Sequence, residues 1–230
     1  MSLANGRPYL AIPGPSVMPD RVLREMHRAA PNIYEGEIHD LTKDIVLDLK
    51  RAALTSGHVA IYIANGHGGW EAANSNLFSR GDKALVAITG RFGLGWAMSA
   101  EAMGIVVEKL DFGRRNPADP DRIEAALRAD KDRRIRAVLV THIDTASTVR
   151  NDLAAIRAAI DAAGHPALLA VDAIASLGCD VLRMDEWGVD IVVGGSQKGL
   201  MMTTGLAFTG ISKRAMAHSD TVKTRRSYWA

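Results

Sequence analysis

In the stretch IVVGGSQKGL (residues 191–200), an apolar run opens into Gly-Gly-Ser-Gln and then presents one lysine, Lys198. A lysine at the end of an otherwise apolar strand is partly desolvated. Desolvation favours the neutral amine, a nucleophile suited to Schiff-base chemistry. Read alone, the same residue also fits a snorkelling side chain at a sheet rim. In LAVDAIAS, Asp172 closes a second apolar run. A carboxylate there is costly unless a cation or strong donors meet it, although strand-end aspartates also cap the next helix. Asn65-Gly66-His67-Gly68-Gly69 lies between an apolar run and a helical pattern, so its backbone N–H groups and the helix N-terminus could face an anion. It lacks the Gly-Lys-Ser/Thr ending of a P-loop. An acidic ribose partner after the next strand is also missing, which disfavours dinucleotide binding. THIDTAST, 141–148, adds hydroxyls at a fourth strand end.

These ends need a scaffold that gathers them. Short β-branched runs at 59–64, 83–89, 104–110, 135–142, 167–173, 190–196 and 205–212 alternate with helical patterns. Runs this apolar suit strands buried on both faces, covered by crossover helices. The fold class expected is α/β: a three-layer α/β/α sandwich around a mostly parallel sheet. Ligands of such sheets gather beyond the carboxyl ends of the strands, where all four motifs fall. Ahead of the strands, Ile38, Leu41, Ile45 and Leu49 recur at helical spacing, predicting an amphipathic helix that ends near Gly57.

Composition narrows the function. The 230 residues, 47% hydrophobic and 23% charged, fit one soluble domain, or a large one and a small one. A net charge of +2 from 28 basic and 26 acidic residues gives no cationic block, so nucleic acid is not implied. The nearest basic run, Lys213, Arg214, Lys223, Arg225 and Arg226, reads as a solvated surface. The single cysteine, Cys179, rules out an internal disulfide and a Cys-rich zinc site; no metal is expected. With no signal-like or membrane-length apolar segment, a cytoplasmic location is the expectation.

An anion-binding turn, a carboxylate, hydroxyls and a lysine on one sheet edge are what pyridoxal 5'-phosphate demands. At this point the chain resembles the class V aminotransferases of fold type I, and most closely their alanine-glyoxylate and serine-glyoxylate branch. The residues that carry the likeness are IPGPSVMP (12–19), NGHGGWEAA, TGRFGLGWA, VTHIDTAST, VDAIASLG and GGSQKGL. The resemblance implies a transaminase moving an amino group from alanine or serine to glyoxylate or a similar 2-oxo acid. Lys198 would hold the cofactor and shuttle the α proton, and Asp172 would pair with the pyridine nitrogen. Phe92 and Ile174 would press on the two ring faces. Gly66 and His67 would donate to the phosphate, Gln197 would assist beside the lysine, and Thr145 would bond near the ring hydroxyl.

The family's habit of sharing each site between subunits implies a homodimer. Residues 1–19 are expected to form an arm and 20–230 the cofactor-binding large domain. The family's C-terminal small domain, with its substrate-carboxylate arginine, is expected to lie beyond these residues. Two departures stand out: Asp144 replaces the usual glutamate of His-x-Glu-Thr-Ser-Thr-Gly, and Thr148 stands where that stretch ends in glycine. A lyase of the cysteine desulfurase type would need a mobile nucleophilic cysteine, whereas Cys179 is expected to be structural. A non-catalytic binding domain of the same fold is the third reading. Trp70, Trp96, Trp187 and His142 are expected to serve packing.

Overall fold

The computed structural model describes residues 10–223 together with 228 and 229. Arg225 and Arg226 of the basic run lie outside the described residues. Seven strands form one sheet in the order β1-β7-β6-β5-β4-β2-β3. They are β1 (His58–Ile63), β2 (Lys83–Ile88), β3 (Val106–Asp111), β4 (Ile135–Thr141), β5 (Leu168–Asp172), β6 (Ile191–Gly195) and β7 (Leu206–Ile211). Each falls within two residues of its sequence-predicted bounds. Strand β7 runs antiparallel to both β1 and β6, and every other pairing is parallel. Six strands therefore deliver their carboxyl ends to one edge.

Alternation along the strands sorts side chains into two cores, as a period of two requires. Leu85 and Ala87 of β2 pack with Ile123 and Leu127 of α5 (Pro120–Ala129), and with Ile156 and Ile160 of α6 (Leu153–Ala162). On the opposite face Ala84, Val86 and Ile88 meet Trp70 and Leu77 of α3 (Gly66–Leu77) and Trp96 of α4 (Arg91–Ala102). Both faces of the sheet are covered, which makes the three layers. Fully burying one such Leu or Ile side chain is worth roughly 1.5–3 kcal/mol.

Local chemistry starts the helices where the sequence places them. The side chains of Asp119 and Asp152 cap α5 and α6 by accepting from Asp121 N and Ala155 N. Pro120 stands in the first turn of α5, where its missing N–H costs nothing.

Burial on both faces fails for β1 and β3, which show mixed burial because they are the sheet's two edges. The amphipathic helix α2 (Glu37–Ala53) stops short of Gly57, with Leu54 in the left-handed conformation. Its stripe is only partly covered: Leu49 is buried, while Leu41 and Ile45 stay exposed. A short helix, α1 (Asp20–Met26), precedes it, and α7 (Lys213–Ser219) follows β7. Arg214 is not simply solvated, since its guanidinium pairs with the buried Asp190 at 2.9 Å. Among the described residues no helix is long and apolar enough to cross a membrane, and no cluster of side chains could hold a metal ion.

Candidate active site

Strand order reverses between β2 and β4, since β3 lies outside β2 while β5 and β6 follow on the far side of β4. Ligand crevices form at such a switch point. A cavity of about 250 Å³ lies there, lined among others by Gly66, His67, Phe92, Thr145, Asp172, Ile174, Gln197 and Lys198. All the site residues expected from the sequence therefore converge on one space. A larger groove of about 630 Å³ at the opposite sheet edge, bordered by Ser56, Arg157, Asp185 and Arg214, shares no residue with it. Two of its charged pairs are Arg157–Asp161 and Arg214–Asp190.

Asp172 ends β5 in register with Thr141 of β4 and is 3% exposed. Burial pushes its carboxyl up to about 7, and the nearby charge of Asp144 adds to the rise. Opposing this are the Ile174 N–H, which donates to Oδ1 at 2.9 Å, the Trp70 indole N–H, which donates to Oδ2 at 3.1 Å, and the charge of Lys198. Trp70, expected only to pack, thus also orients the carboxyl. A tryptophan early in a helix gave no sequence signal for this bond, which depends on α3 packing against β6, the strand beside β5.

Lys198 follows β6 and donates from Nζ to the Pro13 carbonyl at 2.8 Å. The arm crosses the lysine loop here. Ser16 N donates to the Gln197 carbonyl and Ser16 Oγ to the Lys198 carbonyl, both at 2.8 Å. Gly14 is required at the crossing, because its φ is +116° and an added Cβ would lie 2.7 Å from Lys198 Cδ. The sequence showed the IPGPS motif but not that it straps the lysine.

At the mouth, α3 begins at Gly66, where an added Cβ would sit 2.3 Å from Ile174 Cδ1. The Asn65 side chain caps the helix by accepting from His67 N at 3.1 Å and Gly68 N at 3.3 Å. The His67 backbone N–H is thus engaged by Asn65, and the exposed His67 ring lies at the cavity. Two polar atoms in the lining, Gln197 Oε1 and Thr141 Oγ1, are buried without a hydrogen-bond partner. Such atoms are uncommon in folded proteins and mark where a ligand's polar groups can pair.

His142 packs behind this wall, its Nδ1 3.0 Å from Ser176 Oγ, and burial pushes its imidazole down to about 4. Trp96 is buried with its indole N–H donating to Asn74 at 3.1 Å. Cys179 is exposed and lies outside the cavity lining.

Residues 9–224 match the model of the family described as aminotransferase class-V. The chain belongs to this family. It is 43% identical over 218 residues to a serine–glyoxylate aminotransferase of Methylorubrum extorquens, covering 94% of this chain and 54% of that protein. An L-aspartate–glyoxylate aminotransferase of Paracoccus denitrificans is 40% identical, with coverage of 95% and 55%. Among solved structures, a ureidoglycine-glyoxylate aminotransferase of Bacillus subtilis superposes with a TM-score of 0.88 at 25% identity, over 95% of this chain and 56% of that one. The chain spans about half the length of the curated relatives it matches.

Proposed function

We propose that this chain is the cofactor-binding part of a pyridoxal 5'-phosphate-dependent aminotransferase that moves an amino group from a small amino acid to glyoxylate or a similar 2-oxo acid. One observation carries the reading: an amine, Lys198, and a buried carboxyl, Asp172, face one cavity whose mouth is the capped turn of Gly66 and His67. The unpaired Gln197 Oε1 and Thr141 Oγ1 fit a ligand that brings several polar groups of its own. When bound, pyridoxal phosphate supplies an electron-accepting ring that lets an amino acid's α proton leave.

Around it, the chain's own residues divide the work. Asp172 would pair with the ring nitrogen and, as a carboxylate, keep it protonated by its charge. Lys198 would hold the cofactor through its side-chain amine and, once freed by substrate, would carry the α proton. Phe92 and Ile174 exclude water from the two ring faces, and Thr145 and Gln197 orient the ring's edge. Residues 20–230 form the large domain, 1–19 the arm, and a second copy completes a homodimer in the cytoplasm.

A cysteine-based lyase is disfavoured by the position of Cys179 outside the cavity. A non-catalytic binding domain would not need both Lys198 and Asp172. The relatives act on serine or aspartate with glyoxylate by name, so those donors and alanine are the ones to test. Titrating the protein with pyridoxal phosphate should produce a visible absorption band that borohydride fixes to Lys198. The 230-residue chain should then turn over little, while a chain extended to the relatives' length should transaminate. A protein of either length with no cofactor band refutes the reading.

A further inference from the structure

Asp144 was expected only as a departure from the family's glutamate, yet it is among the most enclosed charged residues of the fold, fully buried at 0% exposure. Its carboxyl does three things. Oδ2 accepts from the backbone N–H of Phe92 at 2.8 Å and of Gly93 at 3.0 Å, both in the first turn of α4. Oδ1 accepts from Ala146 N at 3.0 Å within its own loop. The loop closes on itself as well, because Thr148 N donates to the Asp144 carbonyl at 2.7 Å. One short side chain therefore ties the first turn of the helix that carries Phe92 to the loop that carries Thr145.

Two further observations show that the contact is tight and aimed at the cavity. Gly90, the residue ahead of α4, has no room for a side chain: an added Cβ would lie 2.3 Å from Asp144 Cγ and 2.4–2.6 Å from the carboxyl oxygens. Its φ of 176° is extended backbone open to any residue, so space alone demands glycine here. Beyond the clamp, the Phe92 ring lies edge-on to Trp70 at 6.4 Å, and Trp70 donates to Asp172. The Phe92 turn therefore borders the tryptophan that orients Asp172.

We propose that Asp144 is a positioning residue of the cavity: it clamps the Phe92 turn to the Thr145 loop and so fixes the wall on which a planar ring rests. The proposal builds on the cofactor reading above. It is supported by charge, since the Asp144 carboxyl adds to the upward push on Asp172. The groups bearing on Asp172 are Asp144 from the loop after β4, Lys198 from the end of β6, and Trp70 and the Ile174 N–H through hydrogen bonds; His67 reaches it only through its contact with Trp70.

Three variants test this, each first checked by thermal melting. Asp144→Ala removes the clamp. Gly90→Ala keeps the Asp144 side chain but crowds its carboxyl out of the turn. Asp144→Asn keeps an acceptor and removes the charge. Both clamp-opening variants should weaken pyridoxal phosphate binding, read from the absorption band, by roughly ten- to a hundredfold, about what one hydrogen bond to a charged group is worth. In the cofactor-free protein, the fluorescence of Trp70, isolated by subtracting a Trp70→Phe background, reports the protonation of its partner Asp172. Its midpoint should move to lower pH in Asp144→Asn.

A residue that merely stabilised the fold would lower the melting temperature and move neither readout. Binding within twofold of wild type in folded Gly90→Ala overturns the clamp even if Asp144→Ala does not fold. An unmoved midpoint in Asp144→Asn overturns the link to Asp172. If the wild type binds no pyridoxal phosphate, the cofactor reading fails, and the fluorescence midpoint still decides the role of Asp144.

Discussion

Replacing Asp172 by asparagine should shift stability in the mutant's favour as pH rises from acid to mild base, in the cofactor-free protein. The carboxyl is buried, and its proton affinity rises from the ordinary 3.8 to about 7. Between those values the folded protein holds a proton that the unfolded chain has released. The stability this proton contributes is fully present below 3.8 and is lost as pH climbs through 7. At 1.36 kcal/mol per pH unit the loss is ~4 kcal/mol. Wild type alone would not reveal it, because His142 acts in the opposite sense. Its imidazole falls from 6.5 to about 4, so the unfolded chain takes up a proton that the fold refuses, and stability falls as pH drops through that window. Taking the difference between Asp172→Asn and wild type cancels His142.

The amide cannot serve both Trp70 and Ile174 as the carboxyl does, which adds an offset that does not vary with pH. Urea unfolding of both proteins from pH 4 to pH 8 measures the rest. The mutant's advantage should grow by ~4 kcal/mol across that range. A difference that stays flat, or that grows toward acid, would mean that Asp172 is ionised throughout and is held by its donors rather than penalised by burial.

Lys198→Ala should abolish covalent attachment of cofactor after borohydride while changing the melting temperature little, because the bond it loses is one exposed contact to Pro13; labelling at wild-type yield would place the anchor on another lysine. Thr148→Gly should stabilise the protein. Thr148 holds a φ of 61° in the left-handed region, where a β-branched residue is strained by roughly 1–2 kcal/mol and glycine is not. Glycine's extra freedom in the unfolded chain takes back roughly 0.5–1 kcal/mol. A net gain of about 0.5–1 kcal/mol in chemical denaturation follows from these two terms, and a loss would show that the loop depends on the threonine side chain.

That strained threonine shows how far the sequence could be read. Its place at the glycine of the family stretch was visible, but the reason for a glycine there was not, because backbone conformation at one loop residue leaves no pattern in composition. The strands were legible because continuous apolar runs between turn residues have few other stable forms. Their carboxyl ends named Lys198, Asp172 and the Gly66 turn without any coordinates, since a parallel sheet with crossover helices sends all such ends to one edge.

By itself, then, the sequence determined the layers, the edge and the chemistry-bearing ends. Only the tertiary structure decided which strands became edges, so that β1 and β3 are half exposed although their composition suggests burial. It also decided the contacts made across long sequence separations. Trp70 reaches Asp172 across 102 residues, Ser16 reaches the Lys198 carbonyl across 182, and Asp144 reaches back 52 to Phe92. Periodicity reports only which face a residue occupies within its own element. The partner on that face is fixed by how separate elements pack, and that packing is a property of the whole chain.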